Sequence, residues 1–126
     1  MTRYLTLAFL LLSLTASAGK HKKSKAYPEE YTTAIVDSAI QSGNYELAIW
    51  YNINLFGRDS AAAKEKIVLL KDKVPNLPLE IYTVFSKFAP FDPGINSEAG
   101  SGGMSLNVDE MKRRGRWGDA LIRVVR

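Results

Sequence analysis

The longest apolar stretch beyond the N-terminal region is residues 42–56, and the predicted fold is arranged around it. At 100° per residue, its large apolar side chains cover nearly the whole circumference of a helix. Only Glu46, Asn52 and Asn54 interrupt that apolar surface. A helix that is apolar on all sides is buried between neighbours or lends one face to a partner. The pattern therefore predicts a central helix.

A further helix is predicted immediately before the central one. It starts with Tyr27 and Pro28, because proline suits the first turn of a helix, and it runs to about Ser42. Gly43 then ends it in the left-handed conformation, and Asn44 caps the central helix at once. Two helices joined by so short a turn pack antiparallel as a helical hairpin.

Two more helices are predicted beyond the central one. The third carries apolar residues at i, i+4, i+7 and i+11: Ala63, Ile67, Leu70 and Val74. The fourth runs from near Pro78 to about Phe88, with one face formed by Ile81, Phe85 and Phe88. The pattern thus predicts an all-α fold, a small bundle of antiparallel helical hairpins with about four helices.

The C-terminal part of the chain has a different composition. Residues 95–103 are rich in glycine and serine and predict a flexible linker. Residues 104–126 form a basic tail, in which Asn107 caps a short helix that Gly115 ends. A turn is expected next. Residues 120–126 are rich in β-branched side chains and fit either a strand or an amphipathic helix that docks on the bundle.

Residues 1–18 predict a secretory signal peptide. A positive residue precedes a leucine-rich run, and residues 16–18 have the small-x-small pattern that signal peptidase accepts. The apolar run, residues 5–14, is shorter than the roughly 20 residues of a transmembrane helix. We therefore expect export, to the periplasm or the medium. Residues 19–26 would then form a flexible basic arm, and residues 27–94 the helical domain.

Charge and residue usage limit the chemistry of the protein. The 126-residue chain has a formal net charge of +4, no cysteine and one histidine, His21, which lies in the basic arm. The absence of cysteine removes thiol catalysis and cysteine-based metal sites. Carboxylates at 29–30 and 109–110 are sequence neighbours, which point about 100° apart on a helix and do not converge on one bond. We expect no catalytic site, metal or cofactor; the alternative, a carboxylate-dependent envelope hydrolase, would use Glu46 or Glu80.

The residues at the start of the central helix resemble a tetratricopeptide repeat. In that family a Gly-Asn/Asp-Tyr turn joins two helices, and an alanine follows three residues after the tyrosine. Residues 43–45 and Ala48 match this pattern, and a weaker second unit places Asn76, 33 residues on, at the glycine position. The resemblance covers residues 34–93 and implies a protein-binding scaffold.

Aromatic side chains are the first candidates for a binding surface. We expect the protein to bind another envelope or secreted protein, or a second copy of itself, through the aromatic surface of helices two and four. The residues of that surface are Tyr45, Trp50, Tyr51, Tyr82 and Phe85. Trp50 lies about 140° round the helix from Tyr45 and is the aromatic residue most expected to be exposed.

The alternative is a cationic protein that acts on an anionic membrane or envelope polymer. Its candidate residues are the lysines of the basic arm and the basic run beside the second tryptophan: Lys20, Lys22, Lys23, Lys25, Arg113, Arg114, Arg116 and Trp117. Such a run also resembles a nucleic-acid patch, but nucleic acid is not an expected partner of an exported protein.

Overall fold

The computed structural model describes residues 27–98 and 104–126, and their regular secondary structure is helical apart from one small two-stranded ribbon. The five helices are α1 Thr33–Gln41, α2 Tyr45–Arg58, α3 Ser60–Lys71, α4 Leu77–Phe88 and α5 Val108–Val125. A 3₁₀ helix, Ala89–Phe91, follows α4, and β1 Asn96–Glu98 pairs antiparallel with β2 Met104–Leu106. The predicted helical character is confirmed. The predicted signal peptide and basic arm lie outside the described residues.

The turn between α1 and α2 forms as the sequence predicts. Gly43 has a φ of +79°, and its N–H donates to the carbonyl of Ile40 at 3.0 Å. The N–H of Asn44 donates to the carbonyl of Ala39, also at 3.0 Å, so the end of α1 is satisfied. The Asn44 side chain then accepts the N–H of Leu47 and starts α2.

The start of α1 differs from the prediction of a helix that begins at Tyr27. The helix begins after Thr32, whose hydroxyl accepts the N–H of Ile35. The segment before it is irregular, and the Tyr27 hydroxyl donates to the carbonyl of Phe88 at the end of α4, at 2.9 Å. Pro28 predicts that these residues form the first turn of the helix. Instead, a tertiary hydrogen bond fixes Tyr27 against the end of α4, outside the helix.

Helix α2 is central, as its apolar circumference predicts. Eight of its 14 residues are buried, and the other four helices all pack against it. Each buried asparagine donates a hydrogen bond: Asn52 to the carbonyl of Ala63 on α3 at 2.9 Å, and Asn54 to the carbonyl of Trp50 at 2.8 Å; Oδ1 of Asn52 is buried without a partner among the described residues. Polar side chains can be tolerated in this core because they are hydrogen-bonded.

From Val108 to Val125 the C-terminal tail forms one helix, so the predicted helix end at Gly115 and the turn after it are wrong. Of the two alternatives for residues 120–126, the helix that docks on the bundle is the one that forms. Asn107 caps α5 as predicted, by accepting the N–H of Glu110 at 3.1 Å, but the helix continues through Gly115 and Gly118 to Val125. Glycine costs about 1 kcal/mol relative to alanine inside a helix. The packing of α5 against three other helices outweighs that cost.

Packing of α5 also changes the arrangement that the sequence predicts. Helices α3 and α4 are consecutive, but each packs on α2 and α5 rather than forming a second close hairpin. Of the predicted linker, residues 95–103, Asn96–Glu98 forms strand β1, and residues 99–103 lie outside the described part. None of the helices in the described residues is both long and apolar enough to span a membrane.

Candidate functional site

The structure places two of the predicted aromatic anchors in the core. Trp50 is fully buried and Tyr51 is 7% exposed, so the predicted exposure of Trp50 is wrong. The centroid of the Trp50 ring lies 6.3 Å from that of Phe85 and 6.0 Å from that of Phe88. Tyr45 is half-buried against the same core. The side of α2 that the sequence left uncovered is covered by other helices.

The aromatic residues of α4 border a groove between α4 and α5, which we call the α4–α5 groove. Tyr82 is 63% exposed at its edge, and Phe85 is half-buried with its ring against Trp50. The groove has a volume of about 170 Å³. Its lining consists of Ile81, Tyr82 and Phe85 from α4, and Gly115, Gly118, Asp119 and Ile122 from α5. Tyr82 and Phe85 are thus the predicted anchors that the fold brings to one accessible surface.

Two glycines of α5 form the floor of the α4–α5 groove. A Cβ atom on Gly115 would lie 3.7 Å from Cζ of Phe85, and one on Gly118 would lie 3.7 Å from Cγ2 of Ile81. These are ordinary van der Waals distances, so alanine fits at either position. Close packing of α4 on α5 therefore does not require glycine at either position. Each glycine nevertheless costs the helix about 1 kcal/mol relative to alanine.

The α5 side of the groove was missed by sequence reasoning. Met111, Gly115, Gly118 and Ile122 follow one another at i, i+4, i+7 and i+11, the spacing of one helix face. Two glycines interrupt that pattern, and by local rules Gly115 predicts a helix end and Gly118 a turn. In the structure both glycines lie within a helix that tertiary contacts stabilise.

Three cations of α5, Lys112, Arg116 and Arg123, form what we call the cationic stripe. At 100° per residue they fall within about 40° of one another and beside Asp119. All three are exposed, and none pairs with a carboxylate among the described residues. The exposed residues of α4 next to Tyr82 are uncharged: Leu79, Thr83 and Ser86. The charge beside the groove is therefore set by α5 and is mainly positive.

The predicted anionic-surface residues do not form one exposed patch. Arg116 is exposed, and the Arg113 side chain is 56% exposed but paired with a carboxylate. Arg114 is only 12% exposed, and Trp117 is half-buried against the core, so neither is a fully exposed surface residue. Both lie on the inward face of a continuous helix. The four lysines of the basic arm, residues 20–25, lie outside the described residues.

Arg114 belongs to a buried polar cluster, the Asp92–Arg114 cluster. Its Nη1 lies 3.3 Å from Oδ2 of Asp92 and donates to Oδ1 of Asn54 at 2.7 Å. Its Nε donates to Oε2 of Glu110 at 2.8 Å. A buried charge needs such partners, because an unpaired one would be strongly destabilising. The cluster ties α5 to α2 and to the turn after α4.

Asp92 also holds the segment before α1. It accepts the Tyr31 hydroxyl at 2.8 Å and the N–H of Gly94 at 2.7 Å. Burial, followed by the negative charge of Asp92, raises the pKa of Tyr31 well above its ordinary value. For Glu110, burial acts to raise the pKa, but the hydrogen bonds and charges of its arginine partners outweigh it and lower the pKa.

A cleft of about 300 Å³ borders the Asp92–Arg114 cluster. The charged groups of the cluster are bonded to one another across α2, α5 and the connecting segments, so the cluster has a structural role. In the described residues, no group of three or more His, Cys, Asp or Glu side chains could hold a metal ion. Glu46, one of the two carboxylates considered for hydrolysis, pairs with Lys87 at 3.0 Å.

No protein family, curated protein or solved structure matches this chain. The α4–α5 groove is an accessible apolar site that combines an exposed aromatic residue with adjacent charge.

Proposed function

We propose that the protein is an exported, non-catalytic interaction module of the cell envelope that binds another protein through the α4–α5 groove. The observation that carries this proposal is Tyr82, an exposed aromatic residue at the edge of a groove with apolar walls. Tyrosine is among the residues that dominate binding energy at interfaces.

The packing behind the groove supports the same role. The ring of Phe85 lies against buried Trp50, and Lys87 near the end of α4 pairs with Glu46 on α2. Helix α4 is therefore anchored on the central helix before any partner arrives. A site that is already ordered loses less conformational entropy on binding, which favours affinity.

Two features of the sequence support export and protein binding. The pattern of residues 1–18 is typical of a signal peptide. The likeness of residues 43–48 to a tetratricopeptide repeat favours a protein-binding role. Gly43 and Asn76, which the likeness aligns, have φ angles of +79° and +55° and stand at the starts of α2 and α4. This correspondence is one of turn geometry, because α3 and α4 do not pack as a hairpin.

Affinity capture from the native envelope tests the proposal. The bait would be the purified protein, the Tyr82→Ala variant, and a control, Leu69→Ala, which removes a 51% exposed apolar side chain from α3. We expect the unmodified protein and the control to recover the same partner. Recovery with Tyr82→Ala should fall by about tenfold or more, since a hot-spot truncation costs roughly 2 kcal/mol. Equal recovery with all three baits would contradict a role for the groove.

Export has its own test. Cell fractionation with N-terminal sequencing of the recovered protein should give a chain that starts at Gly19, in the periplasm or the medium. A cytoplasmic protein that retains its first residues would overturn the export part of the proposal and leave the binding part unaffected.

A further inference from the structure

The size and lining of the α4–α5 groove limit what it can bind. Its volume of about 170 Å³ is below the roughly 300–1,000 Å³ of typical small-molecule sites. Phe85 and Ile122 provide apolar walls, and Asp119 is the charged side chain in the lining. This space suits one large apolar side chain of a partner better than it suits a polar metabolite.

The two glycines keep that space open. At Gly57, where α2 meets α5, an added Cβ would overlap the ring of Trp117, so packing requires glycine there. At Gly115 and Gly118 a Cβ would have ordinary contacts and would stand in the groove. The helix thus carries two unfavourable residues at the positions where a side chain would fill the groove.

The charge beside the groove determines which charge is favoured in the partner residues that flank the inserted side chain. The cationic stripe is exposed and has no carboxylate partner among the described residues, while the adjacent surface of α4 is uncharged. Asp119, at the wall of the groove, and exposed Asp109, one turn before Lys112, oppose the three positive charges with two negative charges, so the stripe keeps a net positive charge. A partner segment that carries carboxylates is therefore attracted, and a basic one is repelled.

We propose that the α4–α5 groove binds an acidic peptide segment of a partner protein. One large apolar side chain of the segment inserts over Gly115 and Gly118, and neighbouring Asp or Glu residues lie along the cationic stripe. This inference rests on the proposed function and adds the chemistry of the partner to it.

A displayed library of random peptides, selected on the purified full-length mature protein, tests the inference. The selected peptides should share one Leu, Ile, Phe or Trp with at least two acidic residues near it. Their binding should weaken as salt is raised, because the attraction to the exposed cationic stripe is screened. Failure to select any peptide, or selection of peptides without acidic residues, overturns the inference.

Matched variants connect the selected peptides to the groove. Gly115→Ala/Gly118→Ala should remain folded, as judged by circular dichroism, and should weaken peptide binding by about tenfold or more, because two methyl groups occupy the space of the inserted side chain. Arg116→Gln/Arg123→Gln should weaken binding more than Arg113→Gln, whose side chain is already paired with Glu110. Unchanged binding with the double glycine variant would overturn the inference.

Three other outcomes separate this inference from its alternatives. If vesicles of an anionic phospholipid bind through Arg116 and Arg123 and no peptide is selected, the stripe serves a lipid surface and the inference is wrong. If native capture depends on Tyr82 but the selected peptides lack acidic residues, the inference fails while the proposed function stands. If Tyr82→Ala changes neither capture nor peptide binding, both fail.

Discussion

Helix α5 meets the rest of the bundle in two different ways. Toward α2 the contact is closed: the Trp117 ring occupies the space next to Gly57, and Arg114 donates a hydrogen bond to buried Asn54 at 2.7 Å. Toward α4 the contact is open, since a groove remains above Gly115 and Gly118. Glycine allows close approach on the first side and leaves accessible space on the second.

The difference shows how a small domain can keep an unfilled site. Away from the groove, α5 is fixed by the ion pair of Arg114 with Asp92 and by Leu121 and Val125, which are buried in the core. The open side therefore does not have to supply the packing that holds the helix in place. We expect changes on the closed side to reduce stability, and changes on the open side to alter binding while the fold persists.

Removal of the buried cation has the largest expected effect. Arg114→Met leaves the Asp92 carboxylate buried without its cation, and we expect a loss of about 3–5 kcal/mol in the free energy of unfolding. Urea denaturation at neutral pH measures it. The control is Arg113→Met, which removes an exposed partner of Glu110 and should cost less than about 1 kcal/mol. Equal losses would contradict the structural role of the Asp92–Arg114 cluster.

Filling the closed contact should come next in size. Gly57→Ala places a Cβ into the Trp117 ring, and we expect a loss of about 1–3 kcal/mol, typical of overpacking. Thermal unfolding followed by circular dichroism measures it. A smaller residue at 117 should relieve the clash, so Gly57→Ala/Trp117→Leu should be more stable than the sum of the single changes predicts. Strict additivity would show that the two residues do not compete for space.

The same substitution on the open side should have the opposite sign. Gly118→Ala should raise the free energy of unfolding by up to about 1 kcal/mol, because the helix gains propensity and the new methyl group meets no close contact. The urea midpoint should increase with an unchanged slope. A clear decrease in stability would mean that α4 and α5 are packed more tightly than the structure shows, and would close the groove.

The smallest effect is expected at high pH. The folded state holds the proton of Tyr31 more tightly than the unfolded state does, so stability is constant below the unfolded pKa of about 10 and falls as the pH rises above it. Tyr31→Phe should show a weaker fall, and the remainder should come from Tyr27 and Tyr51, whose pKa values burial also raises. Urea midpoints measured across this range provide the test. Identical curves for the two proteins would contradict the assignment to Tyr31.

Local signals in the sequence determined much of the fold. The left-handed turn at Gly43 and the caps at Asn44 and Asn107 were predictable, because each depends on backbone groups within a few residues. The central position of α2 was predictable because a helix with an apolar circumference must be covered. Of the candidate site, the sequence identified Tyr82 and Phe85 but not the other side of the groove.

Tertiary structure decided the rest. Helix α5 continues through Gly115 and Gly118 because its packing on three helices exceeds a local cost of about 1 kcal/mol per glycine. Trp50 is buried, and Tyr82 is exposed, because exposure depends on which helices cover a face, and helical periodicity within one segment does not contain that information. The α4–α5 groove lies between segments far apart in the chain, so it exists only once both helices have packed on α2.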